Sequence, residues 1–468
     1  VCPVTVVAGE RWKLGQLVPG DTVRFVAVRS ERAPSVRELG IARRAGLSTV
    51  FSTGGDGDDG VLRRTDEVTY RRAGDDGVLV EFGPMSLDLT LRAQVHALHT
   101  ELESRAVPGI TELTPGVRSL QIRVDPDVLP TRRLLELVDE VQRELPSPGQ
   151  LVVPSRTVHL PLSWDDPATR EAITRYMHGV RADAPWCPWN IEFIRRMNGL
   201  KSVDDVYRIV YDAEYLVLGL GDVYLGAPLA VPLDPRHRLV TTKYNPARTW
   251  TPSDAVGIGG KYLCVYGMES PGGYQLVGRT VPIWSSYRQQ APFQSGTPWL
   301  FRFFDRIVWE PVSADQLTEY RAEAAAGRLN IDVSDGTFAL ADHLRMLDEN
   351  ATAIAEFETR QAAAFEVEKQ AWHASGEFDR ELTEVAAQPE ASTLDDLPPG
   401  AQVVRAPMVG NVWRIDIEVG QQLAEGATVA ILEAMKLELP VASPISGTVL
   451  QVLATPSTKV EPGTPLAV

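Results

Sequence analysis

The sequence predicts a mixed α+β protein that is rich in β-strands and ends in a small, flattened β-sandwich. Three observations support this fold class. Strand-like and helix-like segments alternate between residues 61 and 150; glycine, proline and β-branched residues are frequent between residues 151 and 310; and an internal repeat occupies residues 404–468. A length of 468 residues is typical of about three domains.

The first 150 residues divide into two segments. Residues 1–60 contain three strand-like stretches, 4–7, 12–17 and 22–26, and the last two lie on either side of the turn Pro19-Gly20-Asp21. Residues 61–150 have a strand–helix–strand–helix order, which is typical of an α+β module. Within this module we expect strands at 78–82 and 119–124 and helices at 89–103 and 134–145.

The next three segments differ from one another in composition and in apolar periodicity. Residues 151–310 predict a closed β-barrel with helical inserts at 191–199 and 203–211. Residues 311–383 predict a helical segment, because apolar residues recur at nearly 3.5-residue intervals along one seam. The seam begins with Leu340, Leu344, Leu347, Ala351 and Ile354. Residues 384–403 are acidic and rich in proline and alanine, which predicts a flexible linker.

Composition excludes some functional classes. The net charge of −16 disfavours nucleic acid as a partner, since phosphate backbones bind basic surfaces. No apolar run approaches the roughly 20 residues that cross a bilayer, so no membrane span is expected. Cys2, Cys187 and Cys264 are far apart in sequence, which suits a reducing compartment. We therefore expect a cytoplasmic protein.

The C-terminal repeat places one lysine at its centre. Five residues recur 37 positions later: Pro407, Gly410, Val412, Gly426 and Val429 correspond to Pro444, Gly447, Val449, Gly463 and Leu466. Such a short repeat predicts two similar β-units related by a pseudo-twofold axis. Lys436 lies between the two units, where a β-hairpin joining them would expose it to a modifying enzyme.

The sequence around Lys436 resembles that of biotin carboxyl carrier domains. The run Ala434-Met435-Lys436 matches the biotin form, whereas the related lipoyl domains usually have Asp before the lysine. Leu437 departs conservatively from the Met that biotin carriers more often have. The resemblance covers residues 404–468 and implies biotin attached covalently to Lys436 by a biotin protein ligase.

Four sequence runs occupy the predicted barrel, three of them rich in glycine, and the glycine spacing around Gly219 differs from the GxGxxG fingerprint of dinucleotide-binding proteins. They cover residues 219–228, 233–248, 256–260 and 269–279. Together with residues 190–194 they resemble the carboxyltransferase region of urea carboxylase. More loosely, they resemble the KipI-like subunits of proteins related to allophanate hydrolase and 5-oxoprolinase. The opening residues, 12–21, resemble the end of a KipA-like half.

The resemblance implies a fold and a reaction. Residues 61–150 would be a KipI-like module, residues 151–310 a cyclophilin-like β-barrel, and residues 1–60 the C-terminal strands of the KipA-like half. The expected reaction is a carboxyltransferase half-reaction that forms a C–N bond. Carboxybiotin releases CO2 to a nitrogen of urea, which yields allophanate, and the biotin ureido oxyanion accepts a proton from the substrate. Guanidine remains an alternative substrate, because it shares the planar shape of urea.

The same resemblance implies that a second enzyme activity charges the biotin. The chain lacks a glycine-rich ATP loop, so we expect a biotin carboxylase domain or subunit outside this chain to use ATP, Mg and bicarbonate to charge the biotin. A homo-oligomer is expected. A hydrolase of the allophanate hydrolase or 5-oxoprolinase type and a non-catalytic carrier subunit remain alternative functions; the first leaves the biotin domain unexplained.

Five polar residues in these four runs are candidates for the carboxyltransferase site. Asp222 would accept hydrogen bonds from N–H groups, Lys243 and Arg248 would stabilise anionic oxygens, and Tyr224 and Tyr274 would donate hydrogen bonds. Structural roles are also open for some of them: a turn cap for Asp222, a surface position for Lys243 and an ion pair for Arg248. No Cys/His cluster has metal-ligand spacing, and no Gly-x-Ser-x-Gly elbow is present.

Overall fold

A computed structural model gives the fold of the chain. It describes residues 6–18, 21–25, 60–221, 226–285, 293, 296–377, 398, 400–407, 410–434, 437–455, 458–460 and 463–468. The chain forms two compact units, one made of residues 1–156 and 335–349 and the other of residues 157–334 and 350–468. Within the described ranges, no helix is long and apolar enough to cross a membrane.

The N-terminal segment differs from the prediction. Residues Ala8–Gln16 form a 3-10 helix, and residues 21–25 form no regular element, so the predicted strands at 12–17 and 22–26 are wrong. The helix is fixed by long-range polar contacts, because Arg11 donates two hydrogen bonds to Asp76, at 2.6 and 3.0 Å. A contact between residues so far apart in the chain cannot be predicted from the local sequence. The assignment of residues 1–60 to a KipA-like half stays a prediction.

The first unit contains an antiparallel sheet with two helices. The strands follow the order β1-β2-β3-β5-β4, and the core is formed by apolar side chains of the sheet and of both helices. The predicted strands and helices of this module are confirmed. The elements are β1 (Val61–Arg64), β2 (Val68–Arg72), β3 (Gly77–Phe82), α1 (Leu89–Arg105), β4 (Ile110–Pro115), β5 (Ser119–Val124) and α2 (Thr131–Glu144).

The second unit is built around a closed seven-stranded barrel, as predicted. The order is β13-β10-β11-β8-β7-β14-β6, and β13 pairs again with β6 to close the barrel. The barrel strands are β6 (Val152–Trp164), β7 (Tyr215–Leu220), β8 (Pro228–Pro232), β10 (Ala255–Gly259), β11 (Tyr262–Val265), β13 (Gln275–Arg279) and β14 (Arg306–Val312). A separate two-stranded ladder consists of β9 (Arg248–Thr251) and β12 (Ser270–Gly272).

Helices precede and follow the barrel strands. They are α3 (Pro167–Gly179), α4 (Asn190–Met197), α5 (Val203–Asp212) and α6 (Ala314–Ala325). The two predicted inserts, α4 and α5, are confirmed. The amide of Asp205 donates to the Ser202 hydroxyl, and the Asp205 carboxylate accepts from the Ser202 amide, so a capping box starts α5. The apolar faces of α4 and α5 contribute Ile191, Ile194 and Val206 to the barrel core.

The segment after the barrel is only partly helical. Strand β15 (Asp332–Ala339) interrupts it, and the expected long helix is divided into α7 (Leu340–Glu349) and α8 (Ala351–Ala374). Leu344 and Ala351 are exposed, so the predicted apolar seam is not continuous. The sequence of β15 contains Val333, Thr337 and Phe338, residue types that favour strands, and this local signal outweighs the helical spacing around it.

The C-terminal domain confirms the internal repeat. Its strands are β16 (Val404–Arg405), β17 (Gly410–Ile415), β18 (Gln422–Leu423), β19 (Thr428–Ala434), β20 (Leu437–Ala442), β21 (Gly447–Thr448), β22 (Lys459–Val460) and β23 (Pro465–Ala467). Strands β17, β18 and β19 begin 37 positions before β21, β22 and β23. Gly426 and Gly463, also 37 positions apart, both have positive φ, at 83° and 89°. The two units therefore share strand positions and turn geometry.

Candidate functional site

Arg248 is a buried cation at the start of β9. Its side chain is 1% exposed, one terminal nitrogen donates to the Tyr274 carbonyl at 2.7 Å, and Nε donates to the Thr251 hydroxyl at 3.3 Å. Its guanidinium also lies 4.3 Å from the centre of the Tyr244 ring. Among the described residues, the other terminal nitrogen is buried without a hydrogen-bond acceptor, and no carboxylate pairs with Arg248. The alternative role in an ion pair is therefore not found in this part of the chain.

Tyr274 forms an aromatic surface beside this cation. Its side chain is buried against β10, where a Cβ on Gly259 would come within 2.6 Å of the ring. The ammonium of Lys243 lies 4.7 Å from the centre of the same ring, and the Lys243 residue is exposed. The absence of a side chain at Gly259 thus allows Tyr274 to lie flat on the strand, and the ring attracts the lysine by a cation–π interaction.

Gln275 adds a polar group that the sequence analysis did not select. Its side chain is fully buried, and its amide nitrogen donates to the Thr242 carbonyl at 3.0 Å. Its amide oxygen is buried and has no donor among the described residues. Because an unsatisfied buried carbonyl costs free energy, this oxygen is a candidate acceptor for a ligand N–H group. Gln275 directly follows Tyr274 in the run 269–279, and this position is the sequence feature that indicates it as a site residue.

Asn190 joins three parts of the site. Its amide nitrogen lies 2.7 Å from the Tyr244 hydroxyl and 3.1 Å from the Trp186 carbonyl. Its amide oxygen accepts a hydrogen bond from the Leu276 amide at 2.9 Å. Burial raises the pKa of Tyr244 to about 12, so its hydroxyl stays protonated at neutral pH. One asparagine at the start of α4 thereby fixes Tyr244, which contacts Arg248, and the strand that carries Gln275.

Three of the five predicted carboxyltransferase residues lie together: Lys243, Arg248 and Tyr274. The other two, Asp222 and Tyr224, lie outside the described residues. On one side of them, Gly226 has φ of 84°, and a Cβ there would come within 2.4 Å of the Trp299 side chain. The close approach of backbone and indole explains a glycine at this position.

No metal site accompanies these residues. Among the side chains that the structure describes, no group of three or more His, Cys, Asp or Glu residues is arranged to bind a metal ion. His237 ends a short 3-10 turn, Pro235–His237, and burial lowers its pKa, so it is neutral at neutral pH. The neutral, turn-forming histidine agrees with the structural role that its flanking arginines suggest.

The C-terminal domain presents a β-hairpin that fits a biotinylated lysine. Strands β19 and β20 pair from Thr428↔Ala442 to Ala434↔Leu437. Met435 and Lys436, which connect the last pair, lie outside the described residues. Below them, Leu432 is fully buried in the domain core, which fixes the base of the hairpin. Lys436 Nζ would form the amide bond to biotin, and the ladder leading to it supports a modification site away from the core.

Comparison with known proteins assigns both regions. The sequence model described as carboxyltransferase domain, subdomain C and D, matches residues 68–294. The model described as biotin-requiring enzyme matches residues 402–468. The chain is 35% identical to a urea amidolyase of Lachancea kluyveri over 100% of its own length. This chain belongs to the urea carboxylase family.

Structural similarity extends over nearly all of the chain. A crystal structure of the Kluyveromyces lactis urea carboxylase superposes with a TM-score of 0.77 and 32% identity, covering 99% of this chain and 41% of that one. A putative urea carboxylase of Emericella nidulans is 30% identical over 99% of this chain. The chain covers 26% of the L. kluyveri protein and 40% of the E. nidulans protein. It therefore contains the carboxyltransferase and biotin carrier region of this family.

Proposed function

We propose that this chain performs the carboxyltransferase half-reaction of a biotin-dependent urea carboxylase, a C–N ligase that converts urea to allophanate. The observation that carries the proposal is Arg248. A buried guanidinium that has an unused N–H donor and no carboxylate partner among the described residues is costly to fold, and an anionic ligand group would compensate that cost. Lys243, on the ring of Tyr274, provides a second cation nearby in the same loop.

The reaction requires a site that stabilises developing negative charge. The bond between the carboxyl carbon and the ureido nitrogen of biotin breaks, a bond forms between that carbon and a urea nitrogen, the urea nitrogen loses a proton, and the product is an anion. Biotin, once attached to Lys436, would supply the carboxyl group and accept the proton. Arg248 and Lys243 donate hydrogen bonds to the anionic oxygens, since fixed donors in a site with little water stabilise such charge strongly.

The same site needs an acceptor that orients urea. Urea offers four N–H groups and one carbonyl oxygen, so a rigid carbonyl acceptor and a rigid donor define its plane. The unpaired amide oxygen of Gln275 serves as the acceptor. The hydrogen bond from Gln275 to the Thr242 carbonyl prevents the amide from rotating. Asp222, in the candidate set, would be a further acceptor.

The charge of the site favours urea over guanidine. Guanidine is a cation at neutral pH. The site already holds two cations, because Lys243 lies over the ring of Tyr274 and Arg248 lies over the ring of Tyr244. Like charges in a partly buried site repel each other by an amount that easily separates two substrates of equal shape. Neutral urea avoids this repulsion.

The full carboxylation cycle needs components beyond this chain. A biotin carboxylase domain or subunit would charge the biotin with ATP, Mg and bicarbonate, and a biotin protein ligase would modify Lys436. We propose that the complete enzyme is cytoplasmic and homo-oligomeric and serves nitrogen metabolism. These statements rest on the family resemblance and on the carrier domain.

The test is carboxyl transfer by the biotinylated chain. The chain, a separate biotin carboxylase, ATP and labelled bicarbonate are incubated with urea or with guanidine, and labelled product is measured. We expect labelled allophanate with urea and much less product with guanidine. Label that accumulates on the carrier biotin but never reaches urea would refute the proposal, and a preference for guanidine would refute the choice of substrate. A Lys436→Arg chain is the control.

A further inference from the structure

Helix α8 is fastened to the loop that carries the candidate site. Gln361 is a buried residue of this helix, and its amide nitrogen donates to Asn198 Oδ1 at 2.7 Å and to the Arg238 carbonyl at 2.9 Å. Asn198 Oδ1 also accepts a hydrogen bond from the Val240 amide at 2.8 Å. Val240 precedes Lys243 by three residues, so the helix is connected by hydrogen bonds to the start of the site loop.

The second half of α8 packs on α4. Glu368 accepts hydrogen bonds from Arg196 at 2.9 Å and from the Trp372 indole at 3.2 Å. The Trp372 ring stacks on Phe193, with ring centres 6.1 Å apart and an interplanar angle of 12°. Through Trp186, the aromatic cluster continues to Tyr244, whose ring lies under Arg248. The helix is thus fixed along its length to elements that build the site.

An ion pair fixes the chain just beyond the helix. Arg181 donates two hydrogen bonds to the Glu377 carboxylate, one of them at 2.6 Å, and the two side chains are only 10% and 13% exposed. The same guanidinium donates to the Asn245 carbonyl at 3.5 Å and lies 5.6 Å from the centre of the Trp186 ring. The hydrogen bond to Glu377 raises the pKa of Arg181 above its usual value.

Arg181 therefore connects two functional parts of the chain. Asn245 lies between Lys243 and Arg248 in sequence, and Glu377 begins the connection to the carrier domain, whose first strand starts at Val404. The 26 intervening residues span at most about 90 Å when fully extended. Within that radius, the concentration of the carrier at the site depends on where the connection starts.

We propose that the Arg181–Glu377 pair is an anchor that starts the carrier connection beside the site loop and so sets the effective concentration of the attached biotin there. The inference rests on the proposed function. Arg181 and Glu377 are positioning residues, because they act through the origin of the connection. Nothing in their role requires contact with urea or with biotin.

Two reactions separate this role from a purely structural one. The first is carboxyl transfer through the biotin attached to Lys436 of the same chain, and the second is transfer between allophanate and free biotin in solution. Effective concentration affects the first reaction only, because free biotin reaches the site by diffusion. Damage to the site loop or to the fold would lower both rates together.

The variants are made in the full biotinylated chain. Glu377→Gln removes the charge and keeps the shape, and Glu377→Lys sets two cations against each other. If the connection starts at Trp372 instead of Glu377, it gains five residues on 26, and the local concentration falls with about the −3/2 power of length. We therefore expect the rate through attached biotin to fall by about 1.3-fold in both variants, with the free-biotin rate unchanged. Glu366→Gln is the matched control, because Glu366 is an exposed residue of α8 that pairs with Lys369 at 3.4 Å. It should alter neither rate.

Amide hydrogen exchange gives a second readout that needs no biotin. Exchange over residues 365–377 should be faster in Glu377→Gln than in the unchanged chain and unaltered in Glu366→Gln. Equal losses of both rates, or no loss through attached biotin, would overturn the anchor. An unchanged chain that is active in neither reaction would instead overturn the proposed function, and with it the anchor, so the two failures are distinguishable.

Discussion

The carrier domain and the barrel use their interiors in different ways. Among the described residues, the carrier core is a cluster of aliphatic side chains, and Ser443 is its one buried polar residue. The barrel unit also buries Asn190, Arg248 and Gln275. Because a buried polar group costs free energy unless it is paired, such groups persist where they are used. Under the proposed function, the carrier is a scaffold that supports chemistry at its edge, whereas the barrel contains chemistry in its interior.

This difference predicts that the carrier tolerates loss of its chemistry without loss of its fold. Lys436→Arg should abolish biotinylation, and with it all transfer through attached biotin, because arginine offers no primary amine for the amide bond. The melting temperature should change little, since the substitution lies beyond the last paired residues of the hairpin. Intact mass after incubation with a biotin ligase measures the first effect. Lys369→Arg, an exposed lysine of α8, is the control; a biotin mass on the Lys436→Arg chain would contradict the assignment.

A change in the carrier core should unfold the carrier and leave the reaction of the barrel intact. Leu432 is fully buried in β19, and Leu432→Ala should destabilise the carrier by about 3 kcal/mol through lost burial and a cavity. A domain this small has little stability in reserve, so a large fraction of carriers would unfold. Transfer through attached biotin should fall while the reaction of the barrel with free biotin continues. Leu450→Ala, at an exposed carrier position, provides the comparison. A parallel loss of the free-biotin reaction would show that the two regions are not independent.

The same contrast explains what the sequence predicts and what it does not. The carrier repeat is visible because its glycines and valines recur at one interval, and each repeated position has a local cause in a turn or in the core. Strands β17, β18 and β19 and their repeats follow that interval. The helices α4 and α5 are likewise predicted by their own periodicity. Elements of this kind need no knowledge of distant contacts.

The barrel site is less visible because its residues come from distant segments. Asn190 and Leu276 are brought together by the closure of the barrel, and no local pattern marks their hydrogen bond. The burial of the Gln275 amide oxygen without a donor among the described residues arises only in the folded state. The N-terminal 3-10 helix was missed for the same reason, since its arginine pairs with Asp76. Positions determined by long-range polar contacts require the structure.

Substitution of Arg248 tests whether this buried residue takes part in the reaction or only stabilises the barrel. Arg248→Lys keeps the charge but loses the planar guanidinium. That group donates to the Tyr274 carbonyl through one terminal nitrogen and can donate to a ligand through the other. We expect the free-biotin reaction to fall by about tenfold to a hundredfold, equal to about 1.4 to 2.7 kcal/mol of transition-state stabilisation. Steady-state rates with allophanate and free biotin give the value, and thermal unfolding shows how much of the loss is structural. Arg175→Lys is the matched control, because Arg175 is an exposed arginine over the ring of Trp250, also on β9. Equal effects at both positions would argue against a chemical role for Arg248.

The smallest effect should come from the glycine beneath Tyr274. Gly259→Ala places a Cβ about 2.6 Å from the Tyr274 ring, which forces the ring away from β10. Crowding of this kind costs about 1 to 2 kcal/mol of stability. Because Lys243 lies over the same ring, the displacement also moves a cation of the site, so activity should fall together with stability. Gly219→Ala is the control, since within 4 Å its Cβ would meet only Leu229, at 3.8 Å, among the described residues. Chemical denaturation and transfer rates measured on both variants decide the point: a stability loss in Gly259→Ala with full activity would show that the position of the ring does not matter to the chemistry of the barrel.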